Sequence, residues 1–541
     1  MTTRCSVCGA AVTGTLPRPR ALSIGLALTA LLAGCDAPSR AIVRSADGGA
    51  AADVVNVRMG APEAGDCARN NGGCSAYAQC LPAGPGRRQC VCAPGLRVQA
   101  DQRACEGLLL VSVARDGRAG GASSAPRIAA RGRYVVFASE AADLPYDRPV
   151  PAATPAPQHC YLRDVVTGRT VLVSADARGA LPSTPIGCSS PQVSADGRLV
   201  AFLHADVIAP DDRPVHPVPN VYVRPVSGDL AVGAPRRIRF DAARPLDRES
   251  SAMYMSRDGR RFALATRSAL AGEADNEHDV FVYTEGAAPA VVAASVDSTG
   301  RIPSFGAACG GNARPAGFSG DGEHLGFNSV RRYVSGDNDE VLDPHVRSLT
   351  EPRTELLTPS LSGTGPRATC AYVGAGLALS YDGRFALFYS DNARFDAALS
   401  PGNPDVFLRD RDVPVGEPGR FTRLRVAPMP DPGGQFNEGV ALSDDGRFAV
   451  VPSRRRLDLP AGAALRLSPD LYLLDLSDLS DPLRGARILD VDERGEPSDS
   501  GAVPFEPSIT ADGSAVSFVA RTPLVPEDTN ELPDVYLRVL R

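Results

Sequence analysis

The chain has 541 residues, which by length alone suggests roughly three or four domains and leaves ample room for a buried core. Its 57 basic and 63 acidic residues give a formal net charge of −6, which argues against nucleic acid as the main partner, because a phosphate-tracking surface needs a basic excess. All 57 basic residues are Arg; the absence of Lys removes Schiff-base catalysis and the P-loop lysine, and 53 Gly with 47 Pro suit a turn-rich β protein rather than a helical bundle.

Arg18 and Arg20 precede an apolar run over 21–32, too short to span a bilayer as a mature helix. The run ends Leu32-Ala33-Gly34-Cys35, which resembles the lipobox of bacterial lipoprotein signal peptides. That resemblance implies a signal peptide over 1–34 and acyl chains on Cys35. Two or three chains hold stably where one is marginal, at ~0.8 kcal/mol per buried CH₂. The competing reading is an ordinary secretory signal with a chance Cys, and both export the protein. Cys5 and Cys8 form a CxxC with no second ligand pair before the cleavage point, so the expectation is a start nearer Val12 or Leu16 rather than a zinc site. Asp36 leaves the membrane leaflet open. The expected location is the cell envelope, with the outer membrane or cell surface favoured over the inner membrane.

Residues 35–66 are rich in Ala, Gly and Asp without periodicity and read as a flexible tether. Six cysteines follow within 67–105: Cys67, Cys74, Cys80, Cys90, Cys92 and Cys105. A segment this small cannot bury enough core, so cross-links must stabilise it, although six cysteines allow fifteen pairings and spacing alone does not choose. Through Asn70-Asn71-Gly72-Gly73-Cys74, Cys90-Val91-Cys92 and Pro94-Gly95 it resembles an EGF-like domain. The resemblance implies Cys67–Cys80, Cys74–Cys90 and Cys92–Cys105. The acidic set of calcium-binding members is missing, since Ala64-Gly65-Asp66 precedes the first Cys and 81–89 holds no Asn or Asp. A rigid spacer is the preferred role.

From residue 108 to 541 a period runs through the chain. Hairpin glycines stand at Gly132, Gly197, Gly259, Gly322, Gly383, Gly446 and Gly513, at intervals of 61 to 67 residues. Five residues after each comes an apolar side chain: Phe137, Phe202, Leu264, Phe327, Phe388, Val451 and Phe518. A second strand signal follows at Tyr161, Tyr222, Phe281, Phe407, Tyr472 and Tyr536, with His345 in the remaining unit. Two residues before it stand Asp279, Asp343, Asp405, Asp470 and Asp534, with His159 and Asn220 in the other units. Asp-Gly between apolar runs signals a hairpin, because Gly accepts the positive φ of primed turns. One such unit cannot bury both faces, so the copies must stack, and a ring leaves only short edges. The fold class is therefore all-β: a seven-bladed propeller of four-stranded antiparallel blades, preceded by the small disulfide-rich domain. Ser194-Ala195-Asp196-Gly197-Arg198 and Asp405-Val406-Phe407-Leu408-Arg409 resemble the TolB-type, WD-repeat-like propeller family. The last copy stops after its third strand, and Leu110-Val111-Ser112-Val113 parallels the fourth strand of other units, so 108–113 are expected to close blade seven.

Second-to-third strand connections and blade-to-blade connections share the face opposite the tight hairpins. Cys160 begins a third strand and Cys188 lies in the next connection, while Cys309 and Cys370 stand at equivalent positions of neighbouring blades. Cys160–Cys188 and Cys309–Cys370 are the expected disulfides in an exported compartment. The same face carries Glu273, Asp275, Glu277 and Asp279, then Asp337, Asp339, Glu340 and Asp343, then Glu527, Asp528, Glu531 and Asp534. Oxygen clusters suit Ca²⁺, yet none has EF-hand spacing, and Asp before a strand caps backbone amides; turn chemistry is preferred over a metal.

His159, His204, His216, His278, His324 and His345 show no zinc spacing, and packing is the reading for His345. Gly317-Phe318-Ser319-Gly320-Asp321 approaches a nucleophile elbow but has Asp in place of the second Gly and precedes a hairpin rather than a helix. No catalytic residue, cofactor or metal site is assigned. The expected function is an envelope-anchored lipoprotein, held to the membrane by its N-terminal lipid, whose propeller binds a protein, peptide or glycan. The alternative is a lyase or hydrolase acting at the central channel, whose sign would be charged side chains converging at the axis without blade-to-blade equivalents.

Overall fold

The computed structural model describes residues 40–43, 53–56, 67, 70–84, 87–141, 143–144, 157–181, 187–210, 218–241, 246, 248–270, 277–303, 312–337, 342–359, 376–392, 395–399, 404–426, 439–457, 468–498 and 505–540. Cys5, Cys8, Cys35, His216, Glu273, Asp275, Cys309, Asp339, Glu340 and Cys370 lie outside them. The chain divides into two compact units, residues 1–73 with 80–89, and residues 74–79 with 90–541. In the first, Arg40–Val43 and Asp53–Asn56 form a two-stranded antiparallel ladder, and Cys67 is bonded to Cys80.

The second unit is the propeller. Blade 1 comprises Ser123–Ile128, Tyr134–Ser139, His159–Asp164 and Arg169–Leu172; blade 2, Cys188–Val193, Leu199–His204, Asn220–Pro225 and Arg236–Arg237. Blade 3 comprises Ser250–Met255, Arg261–Thr266, Asp279–Thr284 and Ala290–Ala293; blade 4, Ala313–Phe318, His324–Ser329, Asp343–Ser348 and Thr354–Leu356. Blade 5 comprises Leu377–Leu379, Phe385–Ser390, Asp405–Asp410 and Phe421–Arg423; blade 6, Ala441–Leu442, Phe448–Ser453, Asp470–Asp475 and Arg487–Ile488. Blade 7 takes Ser508–Ile509, Ala515–Ala520 and Asp534–Val539 from the C-terminus and Cys105–Leu110 as its fourth strand, with Leu96–Val98 as a fifth. Tyr536 pairs with Leu110 and Leu96 with Gly107, so the ring is closed by a strand hundreds of residues away in sequence.

The sequence period reappears as cross-strand pairs. Phe137, Phe202, Leu264, Phe327, Phe388, Val451 and Phe518 are all fully buried in second strands. Each faces the third-strand signal residue of its own blade: Tyr161, Tyr222, Phe281, His345, Phe407, Tyr472 and Tyr536. Such pairs are the unit of sheet stabilisation. His345 takes the aromatic place by stacking 5.1 Å from the Phe327 ring, and burial pushes its imidazole down to about 3, so it packs as a neutral ring. Apolar clusters span neighbouring blades, for example Phe202 and Tyr222 with Val136 and Leu162.

The hairpins repeat a small device. Ser194, Ser256, Ser319, Ser380, Ser443 and Thr510 each donate a hydroxyl hydrogen bond to the Asp two residues on, at 2.5–3.0 Å. Ser319 thus belongs to a turn. The residue two after each hairpin glycine also packs over the glycine of the following blade: Tyr134 over Gly197, Phe385 over Gly446, Phe448 over Gly513. Blade 7 has only Ala515 to offer there. Tyr77 fills the place instead: a Cβ on Gly132 would lie 1.9 Å from its hydroxyl oxygen, and Tyr77 is 1% exposed. Residues 74–79 and 90–110 therefore belong to the propeller rather than standing apart as a spacer.

A second stitch was not expected. The fifth residue of the third strand, Arg224, Arg409 or Arg538, reaches back to carbonyls beside the preceding blade's outer strand. Arg224 donates to Val173, Ala175 and Gly233 at 2.6–3.0 Å. A planar fork with five donors suits this task, and an ammonium does not.

Candidate functional site

The first strand of each blade lines the central channel. In blades 1 to 4 the pairing of that strand slips, between Ser124 and Arg127, Ser189 and Gln192, Ser250 and Ala252, and Pro315 and Gly317. Bulges of this kind re-aim side chains and recur beside functional sites. Ala125 (φ 51°), Ser190 (φ 50°) and Glu506 (φ 44°) adopt the left-handed region, which costs a side-chain-bearing residue about 1–3 kcal/mol. These three occupy one position of the repeat, seven residues before the hairpin glycine; blades 5 and 6 have Gly376 and Gly439 there.

Five residues before the hairpin glycine the blades present Arg127, Gln192, Tyr254, Gly317, Ala378, Ala441 and Ser508 in order. Blades 4 to 6 thus contribute small side chains, while blades 1 to 3 and 7 bring Arg127, Gln192, Tyr254 and Glu506 together. With Gln158 and Ser190 they line a cavity of about 280 Å³. The Arg127 guanidinium lies 6.0 Å from the centroid of the Tyr254 ring, at the reach of a cation–π contact. Its Nη1 donates to the Pro126 carbonyl at 2.8 Å. One Glu506 carboxylate oxygen accepts the Ala125 N–H, and Gln158 donates to Ser124 Oγ at 3.1 Å. The site therefore offers a guanidinium, a carboxylate, amides and hydroxyls around an aromatic face.

The channel has a floor on the hairpin side. Backbone bonds run from Asp321 to Tyr381, Tyr381 to Asp444, Asp444 to Ala511 and Ala511 to Ala130, at 2.8–3.0 Å. Across it, Arg257 of blade 3 holds Asp444 of blade 6 in a two-pronged ion pair at 2.5–2.6 Å. Burial pushes the Asp444 carboxyl up to about 6, with Arg257 opposing the shift. The cavity is also bordered by Gln158, in the second-to-third strand connection of blade 1.

Cys160 is bonded to Cys188, with Cα atoms 5.6 Å apart. Cys188 is the first residue of the inner strand of blade 2 rather than part of the connection before it. The bond supports the cavity wall, because the Cys188 N–H donates to the Gln158 carbonyl at 2.8 Å, and a Cβ on Gly187 would overlap that carbonyl oxygen. Cys74 is bonded to Cys90 and Cys92 to Cys105. Among the described residues, no group of three or more His, Cys, Asp or Glu side chains is placed to hold a metal ion. Among the described acidic residues of the loop face, four turn inward: Asp279 accepts from Ser295 at 3.2 Å, Asp343 from Thr358, Asp534 from Ser112 at 2.5 Å and Asp528 from Tyr536. No described histidine lines the cavity. The site residues Arg127, Gln158, Gln192, Tyr254 and Glu506 escaped sequence reasoning. The signal for Arg127, Gln192, Tyr254 and Glu506 was departure from the residues of blades 4 to 6 at two fixed offsets from the hairpin glycine; Gln158, in a strand connection, had none.

A family model of the coagulation factor Xa inhibitory site matches residues 67–105. No curated protein was found similar to the chain. Solved structures resemble it at low identity. Oligogalacturonate lyase from Vibrio parahaemolyticus is 12% identical with a TM-score of 0.43, over 82% of this chain and 96% of that one. The propeller domain of the trilobed protease from Pyrococcus furiosus is 9% identical with a TM-score of 0.40, over 77% and 95%. TolB from Agrobacterium tumefaciens is 18% identical with a TM-score of 0.32, over 60% and 87%. The chain's own architecture is an all-β, seven-bladed propeller with a disulfide-rich N-terminal region.

Proposed function

We propose that the protein is a cell-envelope lipoprotein, anchored through Cys35, whose propeller binds a glycan, peptide or protein group in the polar mouth of its central channel. The observation that carries this reading is the asymmetry of the channel. Arg127, Gln192, Tyr254 and Glu506 converge where blades 4 to 6 offer small residues. A ring needs none of them to close, and left-handed backbone at Glu506 and Ser190 opposes folding. A cavity of this size with a few convergent polar groups is the usual form of a small-ligand subsite. The same pair, a guanidinium and a carboxylate at the axis without equivalents, favours a second reading as a lyase or hydrolase.

The test presents the full chain with defined neutral, acidic and amino-sugar oligosaccharides and with short peptides, reading melting temperature and the mass of the recovered probe. Binding predicts stabilisation by one probe class that Arg127→Gln or Glu506→Gln weakens at least ~10-fold, as for loss of a hydrogen bond to a charged group. A cleaved probe would replace binding by catalysis. Stabilisation that neither substitution alters, or none at all, would refute the site. For the anchor, Cys35→Ala is expected to release the protein from membranes; retention would refute lipidation at Cys35.

A further inference from the structure

The outer seam between blades 4 and 5 holds a surplus of buried positive charge. Glu355, in the fourth strand of blade 4, is reached by Arg409 Nη2, by Arg411 Nε at 2.9 Å, by Arg420 Nη2 at 3.2 Å and by Arg353 Nη2 at 3.9 Å. Four guanidiniums share one carboxylate. The nearby Asp410 is already engaged, taking both prongs of Arg384 at 2.7–3.0 Å. Arg409 and Arg420 are almost wholly buried, and both guanidiniums lie over the Phe421 ring, at 5.3 and 5.6 Å.

Arg409 belongs to the blade-to-blade stitch, and here the stitch departs from its other copies. The Nε of Arg224 donates to Gly233 and that of Arg538 to Leu489, at 2.8 and 2.9 Å. With Nη2 turned onto Glu355, the Nε of Arg409 is buried with no acceptor among the described residues, and so is the Nε of Arg420. A buried charged donor without a partner is among the costlier defects a fold can carry. The cluster has an exposed border, formed by Arg353 and the loop over 414–419. Burial pushes Arg409 down to about 10, Glu355 opposing this and Arg420, Arg411 and Arg353 adding to it, so the surplus is felt at the site.

We propose that this arginine cluster binds a tetrahedral oxyanion, a phosphate or sulfate group. Arginine forks match such oxygens, and an anion would supply both the missing acceptors and the missing negative charge. The site is separate from the channel mouth and stands whether or not that cavity binds anything.

The test titrates the full chain with inorganic phosphate at constant ionic strength, balanced with chloride, following ³¹P linewidths and melting temperature. Saturable binding is expected, several-fold weaker in Arg353→Gln, whose side chain is largely exposed. Glu355→Gln removes the internal competitor and is expected to tighten binding by about tenfold or more, an effect a merely structural cluster would not show. Phenyl phosphate forms a second arm: binding of both ligands identifies a group carried on an ester, and binding of inorganic phosphate alone a free ion. A non-saturable response, equal in wild type and Arg353→Gln, would overturn the proposal.

Discussion

Tyr77→Ala should damage a propeller to which Tyr77 does not belong by repeat. In six blades the residue two after the hairpin glycine covers the next blade's glycine, but Ala515 cannot reach Gly132. Tyr77 covers it, with its hydroxyl 3.5 Å from Ser514 Oγ and burial pushing the phenol well above its ordinary range. Removing a fully buried ring leaves a cavity that neighbouring backbone cannot fill, and such losses cost about 3–5 kcal/mol. Tyr77→Phe keeps the ring and loses one long hydrogen bond, about 0.5–1 kcal/mol. The assay is denaturant unfolding of the full chain. Gly132→Ala supplies the second arm, since its φ of 82° and its contact with Tyr77 both penalise a side chain. In the Tyr77→Ala background the steric part of that penalty disappears, so the double variant should lose less than the two single losses added together. A Tyr77→Ala loss below ~1 kcal/mol, or strict additivity, would refute the claim that this residue completes the ring.

Two further outcomes follow from buried charge. Burial pushes the carboxyls of Asp490 and Asp534 up to about 7, from about 3.8, against hydroxyl bonds from Ser498 and Ser112 that favour the ionised form. A raised native pKa means stability fully present below pH ~4 and lost as pH rises through 7, each tenfold gain in native proton affinity being worth about 1.4 kcal/mol. Asp490→Asn should therefore flatten the decline in melting temperature between pH 4 and 8; an unchanged slope would show that Asp490 is ionised throughout. Arg224→Lys leaves the carbonyls of Val173, Ala175 and Gly233 short of donors and should cost about 2–3 kcal/mol by denaturant unfolding. A loss under ~0.5 kcal/mol would mean that the stitch is decorative.

Most of the architecture was legible because it is local and repeated. The Ser-x-Asp-Gly turns, the apolar residue five places on and the Asp-Val-Phe-Leu-Arg third strand each recur within one blade, where a few bonds decide the conformation. That blade 7 borrows its fourth strand from the start of the array was legible, but its position was not: the parallel pointed to 108–113, whereas the strand runs Cys105–Leu110 and overlaps that span only at 108–110. Tyr77 was not legible, because its partner Gly132 belongs to a different sequence motif and its reason for being there is the smallness of Ala515.

The channel mouth was illegible for a related reason. Arg127 and Glu506 lie near opposite ends of the repeat array, and nothing within either blade announces the other. Composition, turn chemistry and the 61–67-residue period determined by themselves that the chain forms stacked four-stranded units, since each unit has two apolar faces to bury. Only closure of the ring decided which residues share the axis, and only the packing of blade 5 on blade 4 decided which arginines crowd Glu355. Both outcomes depend on where one blade's offsets fall against another's, which no single blade records.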